Sequence, residues 1–154
     1  MKKKILILGS EGQVGLHLKS YLKKRKYDVM GFDIVDNKKQ DLRNFNNRIL
    51  ISKIKKSDFI YFLAFDVGGS RYLKKYQNTF EFLSNNIRLM ENTFTLIKKY
   101  KKPFLFASSQ MSNMTYSNYG ILKNVGEKYS EILDGLVVKF WNVYGVEYDL
   151  NKSH

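Results

Sequence analysis

Residues 4–24 read "KILILGSEGQVGLHLKSYLKK": a short apolar run, a turn with glycine at every third place, then an amphipathic run. No other stretch limits the fold as tightly. Ile5–Leu8 has the length and composition of a buried strand. It is too short for a signal peptide's apolar core or for a bilayer span. Val14, Leu18, Tyr21 and Leu22 share one face of a helix expected from about Gln13 to Lys24. Between strand and helix, Gly9, Gly12 and Gly15 form a G-x-x-G-x-x-G turn. With 10 glycines in 154 residues, chance supplies about 0.04 such matches per chain. Glycine lets the backbone turn tightly and approach a ligand, and the open N–H groups of a helix start suit a pyrophosphate. The plainer alternative is a glycine-rich turn that binds nothing.

The rest of the chain repeats the alternation of strand-length apolar runs and helix-length amphipathic ones. Strands are expected at Asp28–Asp33, around Gln40–Leu42, at Asp58–Phe65, in "KPFLFAS", and at Leu136–Trp141. Helices are expected at about 44–55, 79–100 and 119–133. Pro103, the single proline, opens its strand, where a missing N–H costs least. Six strands alternating with helices predict a Rossmann-like, doubly wound α/β fold with helices on both faces of a parallel sheet. Its ligand crevice lies at the carboxyl ends of the strands. Residues 1–148 are expected to form this domain and 149–154 a polar tail.

Cysteine is absent, which removes disulfides, thiolate metal sites and a cysteine nucleophile within the chain. No metal site is expected, and no membrane segment; a soluble, cytoplasmic protein is the default reading. The net charge of +13 raises the question of a polyanionic partner. The cations are mostly Lys, in scattered short runs at the ends of expected elements, with no visible stripe of aromatics between them. Solvated faces are therefore the preferred reading over a nucleic-acid surface.

Chemistry-bearing residues follow the strands. Asp33, 18 residues past Gly15, is placed to accept both hydroxyls of an adenosine ribose and to repel a 2′-phosphate, which favours NAD over NADP. A solvated loop-end aspartate is the alternative, and Lys38 and Lys39 moderate the preference. Asp41-Leu42-Arg43 can set a carboxylate near the adenine edge, or Asp41 can simply open a helix. Two Tyr-x-x-x-Lys pairs occur, Tyr119 with Lys123 and Tyr148 with Lys152. Only the first is set on a helix that follows a strand end.

Taken with these, "LAF" (Leu63, Ala64, Phe65), "NNIRLMEN", "SS" (Ser108, Ser109), "YGILK" and "NVYG" occur in the order found in a known family. The chain resembles the cofactor-binding part of extended short-chain dehydrogenases/reductases, the NAD-dependent nucleotide-sugar epimerase/dehydratase family. The resemblance implies NAD as cofactor, contacted by Gly9, Gly12, Gln13, Val14, Gly15, Asp33, Asp41, Leu42, Leu63, Ala64, Phe65 and Lys123. It implies catalytic roles for Ser109, Tyr119 and Lys123, and weaker substrate contacts from Ser108, Gln110, Asn86 and Asn142. A nucleotide-activated sugar is the implied substrate. A homodimer through the 79–100 and 119–133 helices is the implied assembly, although the apolar stripe Phe80, Leu83, Ile87, Met90, Phe94, Ile97 is equally explained by packing on the sheet.

The chemistry fits those residue types. Tyr119 and Lys123 lie one helical turn apart; the lysine's charge lowers a phenol's pKa and its N–H groups suit a ribose. A phenolate can take a proton from a sugar hydroxyl while Ser109 hydrogen-bonds the same oxygen. Three departures from the family pattern stand out. Ser109 and Tyr119 are only ten residues apart, where about two dozen are usual, so Ser108 remains an alternative to Ser109. Gln110 and Met111 replace the acid–base pair of the family's dehydratases, which ranks epimerisation or simple oxidation and reduction above dehydration. Lys139 stands where an arginine is common. The expectation is a truncated enzyme that binds NAD and turns over little; a non-catalytic NAD-binding sensor or scaffold is the alternative.

Overall fold

The structure, a computed structural model, describes residues 2–143. Strands β1 (Lys4–Leu8), β2 (Asp28–Phe32), β3 (Phe59–Phe62), β4 (Phe104–Ser109) and β5 (Leu136–Phe140) are joined by helices α1 (Gln13–Lys24), α2 (Arg48–Lys56), α3 (Ser70–Tyr76), α4 (Phe80–Tyr100) and α5 (Asn118–Ile132). All neighbouring strands are parallel, in the order β2-β1-β3-β4-β5. Successive crossovers leave β1 in opposite directions along the sheet, so the switch point lies between β1 and β3, where open α/β sheets hold their ligands.

Strand periodicity divides the core. Leu6 and Leu8 face the same side as Ile60, Phe62, Phe104 and Phe106, and pack under α2, α4 and α5. Ile5 and Ile7 face the other side, against Leu22 and Leu18 of α1. Phe94 of α4 makes edge contacts with Phe62 and Phe104 at 5.2 and 5.8 Å and stacks on Tyr129 of α5 at 4.9 Å. Each such ring, fully buried, stabilises by about 1.5–3 kcal/mol. Gly126 admits α5 to this face: a Cβ there would lie 2.3 Å from Phe106.

The sheet has five strands, not the six read from the sequence. Gln40–Leu42 does not pair, because its carbonyls are taken by side-chain amides. Asn92 of α4 donates to Leu42 O at 2.6 Å, and Asn47 donates to Lys39 O and Asp41 O. Asn47 also caps α2 by accepting from Ile49 and Leu50 N–H, which starts that helix at 48 rather than 44. β3 stops at Phe62, since Leu63 and Ala64 both turn their N–H groups onto Leu8 O. The short helix α3 was not anticipated. The 79–100 helix begins one residue late, with Thr79 as its cap. The proposed tail 149–154 and the Tyr148–Lys152 pair lie outside the described residues.

Candidate active site

Each glycine of the first turn has its own reason. Gly9 has φ 86°, and a Cβ there would lie 2.7 Å from Ala64 N, so the turns after β1 and β3 touch backbone to backbone. A Cβ on Gly15 would sit 2.0 Å from Gly9 O. Gly12, by contrast, has only Gly9 O within reach, at 3.6 Å. It caps α1 and brings no side chain to cover the first-turn amides. That is the cradle an anionic group needs.

These turns open onto a crevice of about 1140 Å³ at the strand carboxyl ends, roomier than the ~300–1,000 Å³ of ordinary small-molecule sites. Gly9, Gly12, Gln13, Val14, Gly15, Asp33, Asp41, Leu42, Leu63, Ala64 and Phe65 all line it, as do Ser108, Ser109, Gln110, Tyr119, Lys123 and Asn142. Asp33 is fixed by two backbone amides, its Oδ2 accepting from Glu11 N–H and its Oδ1 from Val35 N–H, both at 2.9 Å. Asp41 is gripped by the Arg43 guanidinium, Nε and Nη2 donating at 2.8–3.1 Å. That pairing holds its carboxyl below the usual range.

At the other end of the crevice the short link between β4 and α5, residues 110–117, folds tightly. A 3-10 turn at Gln110–Asn113 leads into Ser117, which caps α5 by accepting from Gly120 N–H at 3.1 Å. A Cβ on Gly120 would meet Met111 O at 2.2 Å, so only glycine lets α5 press this close. The compression brings Tyr119 and Ser109 into the lining of the same crevice. Burial raises the Tyr119 phenol above its ordinary pKa, and Ser109 partly offsets this. Lys123, one turn on, is buried; its Nζ donates to Ala107 O at 2.7 Å and lies 3.8 Å from the Phe65 ring centroid. Loss of water brings its pKa down to about 7, so it supplies only part of the charge expected to acidify Tyr119.

Of the two serines, Ser108 is spent elsewhere. Its hydroxyl donates to Glu127 Oε1 at 2.5 Å, and the other Glu127 oxygen pairs with Lys139 of β5 at 3.1 Å. Asn86 is corrected: it does not line the crevice and is fully buried. Its Oδ1 accepts from Asp66 N–H at 2.8 Å, and its Nδ2 donates to Asp66 O and Phe82 O. Both ends of the amide are occupied in clamping the loop after β3, and none is left for a substrate.

Several lining residues were missed from sequence. Asp66 accepts from Tyr72 OH at 2.7 Å and from Asn85 Nδ2 at 2.8 Å, while Asn85 Oδ1 accepts from Arg43. Tyr72 is pushed up to about 12 by burial and by that carboxylate. The chain Arg43–Asn85–Asp66–Tyr72 ties the loops after β2 and β3 across the crevice. Asp66 follows a strand end and was visible as a candidate on that ground; Asn85 and Arg43 depend on packing no local pattern reveals. Among the described residues no cluster of His, Cys, Asp or Glu can hold a metal, and no helix is long and apolar enough to cross a membrane.

A glycine turn at the switch point, a carboxylate just past β2 and Ser109, Tyr119 and Lys123 at the far end of the same crevice belong to a Rossmann-like α/β domain. The comparisons narrow this. The model of the NAD dependent epimerase/dehydratase family matches residues 5–153, and the chain belongs to that family. It is 30% identical over 178 aligned positions to the bifunctional polymyxin resistance protein ArnA of Wigglesworthia glossinidia brevipalpis, covering 97% of this chain and 26% of that protein. Its fold is shared by a GDP-D-glycero-L-gluco-heptose synthase from Campylobacter jejuni, solved in the presence of NADPH (TM-score 0.79, 19% identity, 99% of this chain and 52% of that one). It is also shared by a dTDP-4-dehydrorhamnose reductase from Bacillus anthracis in complex with NADP (TM-score 0.72, 19% identity, 97% and 57%). The chain thus spans about half the length of these solved relatives and about a quarter of the curated one.

Proposed function

We propose that the chain binds NAD and contributes the cofactor half of an enzyme that moves hydride at a carbon of a nucleotide-activated sugar. The observation that carries this is that Ser109, Tyr119 and Lys123 line the same crevice that the glycine turn opens. The cofactor's pyrophosphate fits the uncovered start of α1 at Gly12, and Asp33 offers carboxylate oxygens to an adenosine ribose. The cofactor, when bound, supplies the hydride acceptor or donor. The protein's part is proton handling. Tyr119 takes the proton of the sugar hydroxyl as general base, and Ser109 donates to the oxygen on which charge develops. Lys123 becomes more cationic once an acceptor or anion lies beside it, and its charge then lowers the phenol's pKa. The relatives named above act on GDP- and dTDP-linked sugars by their own descriptions, which supports the substrate class.

The exposed parts of α4 and α5 support a homodimer as part of this reading. Met90, Phe94 and Ile97 are buried on the sheet, but Phe80 is 79% and Ile132 76% exposed, with Ile87, Ile121 and Val125 between them.

Calorimetric titration tests the cofactor assignment. NAD⁺ is expected to bind at least about tenfold more tightly than NADP⁺, a difference of roughly 1.4 kcal/mol. Tyr119→Phe is expected to keep that affinity and to lower turnover of UDP-, dTDP- or GDP-sugars by about 10²–10⁴. Preference for NADP⁺ would overturn the role given to Asp33, and no binding of either dinucleotide would sink the reading.

A further inference from the structure

We propose a second binding surface, for single-stranded nucleic acid, at the pole of the sheet opposite the crevice. In a parallel sheet wrapped by helices, strand starts and helix ends share one pole. Here that rule gathers lysine runs that are far apart in sequence. Lys2–Lys4 enter β1, Lys23–Lys26 follow α1, Lys55 and Lys56 end α2, and Lys98–Lys102 end α4. Their adjacency is direct. Lys102 Nζ donates to Lys55 O and Ser57 O, and Asp28 N–H donates to Lys3 O. The acidic side chains lie mostly elsewhere: Glu11, Asp33, Asp36, Asp41 and Asp66 follow strand ends at the crevice. At the basic pole Asp28 and Asp58 intervene, with Glu131 and Asp134 at its β5 edge, and Asp58 accepts from Lys4 N–H at 2.7 Å.

Helix dipoles account for some of these lysines, since cations suit the last turn of a helix. They do not account for Lys2–Lys4, which lie outside any helix.

The pole also has the shape and the aromatics that a polyanion site needs and that the sequence alone did not reveal. Lys2–Lys4, Lys23 and Lys56 line a second concavity of about 1050 Å³ together with Tyr27, Val29 and the carboxylates of Asp28 and Asp58, so five lysines face two acids there. Tyr21 and Tyr27 are exposed. Arg25 stacks over the Tyr21 ring at 5.3 Å, and Lys55 and Lys99 lie over the Tyr100 ring at 5.2 and 5.7 Å. Ammonium groups around a groove whose lining includes the exposed Tyr27 ring match a sugar–phosphate backbone carrying an unpaired base. An anionic membrane fits less well. The exposed aliphatic side chains at this end, Ile132 and Leu136, lie by β5, separated in the sheet from β1 and its lysines by β3 and β4.

Fluorescence anisotropy of labelled oligouridylate and oligothymidylate of about 15 nucleotides tests the surface. Binding is expected at about 50 mM salt, with log affinity falling against log salt at a slope of about −0.7 for each phosphate neutralised. The double reversal Lys23→Glu/Lys56→Glu should lower affinity at least about tenfold, and Tyr27→Ala by roughly 5- to 100-fold. Lys38→Glu/Lys39→Glu, which changes as much charge at the crevice end, should leave it within about twofold. Unchanged thermal melting in all three variants, with unchanged dinucleotide binding in the two made at the basic pole, shows that they fold. The proposal is overturned by absence of oligonucleotide binding, by equal losses from the two double reversals, or by tighter binding to anionic phospholipid vesicles than to either oligonucleotide.

Discussion

Lys123 is where stability and chemistry oppose each other. Its ammonium is stripped of water between Phe65, Phe106 and the Ala107 carbonyl, and its folded pKa of about 7 lies below the ordinary lysine value of 10.5. Between those values the unfolded chain binds a proton that the folded chain does not. Stability from this group is therefore complete above about pH 10.5 and is lost as pH falls toward 7. Tyr119 is shifted the other way and acts only above the ordinary tyrosine range. The partly buried Lys53, also lowered by loss of water, acts in the same sense as Lys123, so the Lys123→Met comparison is what singles out Lys123. The unliganded chain should melt at rising temperature from pH 7 to 9. Lys123→Met should show a flatter profile and melt roughly 5 °C higher at pH 7, given about 2–4 °C per kcal/mol in a chain of this size; scanning fluorimetry from pH 6 to 10 checks both. Spacing in the sequence named Tyr119 and Lys123 but could not say that the amine is dehydrated. That follows from aromatic rings contributed by three separate segments.

At the scale of elements, the site depends on how closely the first turn folds on itself and on β3. Gly15→Ala places a methyl 2.0 Å from Gly9 O, which is backbone and cannot yield. Overpacking of this kind costs about 1–3 kcal/mol or more. Because the strain falls on the amide cradle, dinucleotide affinity should fall further than the melting temperature suggests. Calorimetry beside a thermal melt separates the two, and unchanged affinity would mean that the turn does not hold the ligand. The glycine pattern, β1, β2 and the three long helices were legible because each is fixed by its own periodicity and caps. Gln40–Leu42 was misread because its pairing is decided by Asn92, fifty residues on. Asn86 was misassigned for a similar reason: its partner is backbone at Asp66, and only the fold shows that its amide is used up.

For the whole molecule, the α4–α5 surface predicts self-association. Ile121→Glu/Val125→Glu adds charge to an already exposed part of that surface, so it should shift sedimentation from dimer to monomer while leaving dinucleotide affinity unchanged. Monomeric wild-type chain at all concentrations would contradict this. The fold class could be read from alternation alone, whereas the opposed acidic and basic poles could not, since charge runs acquire a location only when helix ends and strand starts are brought together. The account rests on one spatial relation, a dinucleotide lying along the crevice from Gly12 to Tyr119. A crystal structure of the chain with NAD⁺ tests it most directly. The account predicts the pyrophosphate on the amides at the start of α1, the adenosine ribose on Asp33 and the nicotinamide beside the Tyr119 hydroxyl. A nicotinamide at the Asp33 end, or a dinucleotide bound outside the crevice, would contradict it.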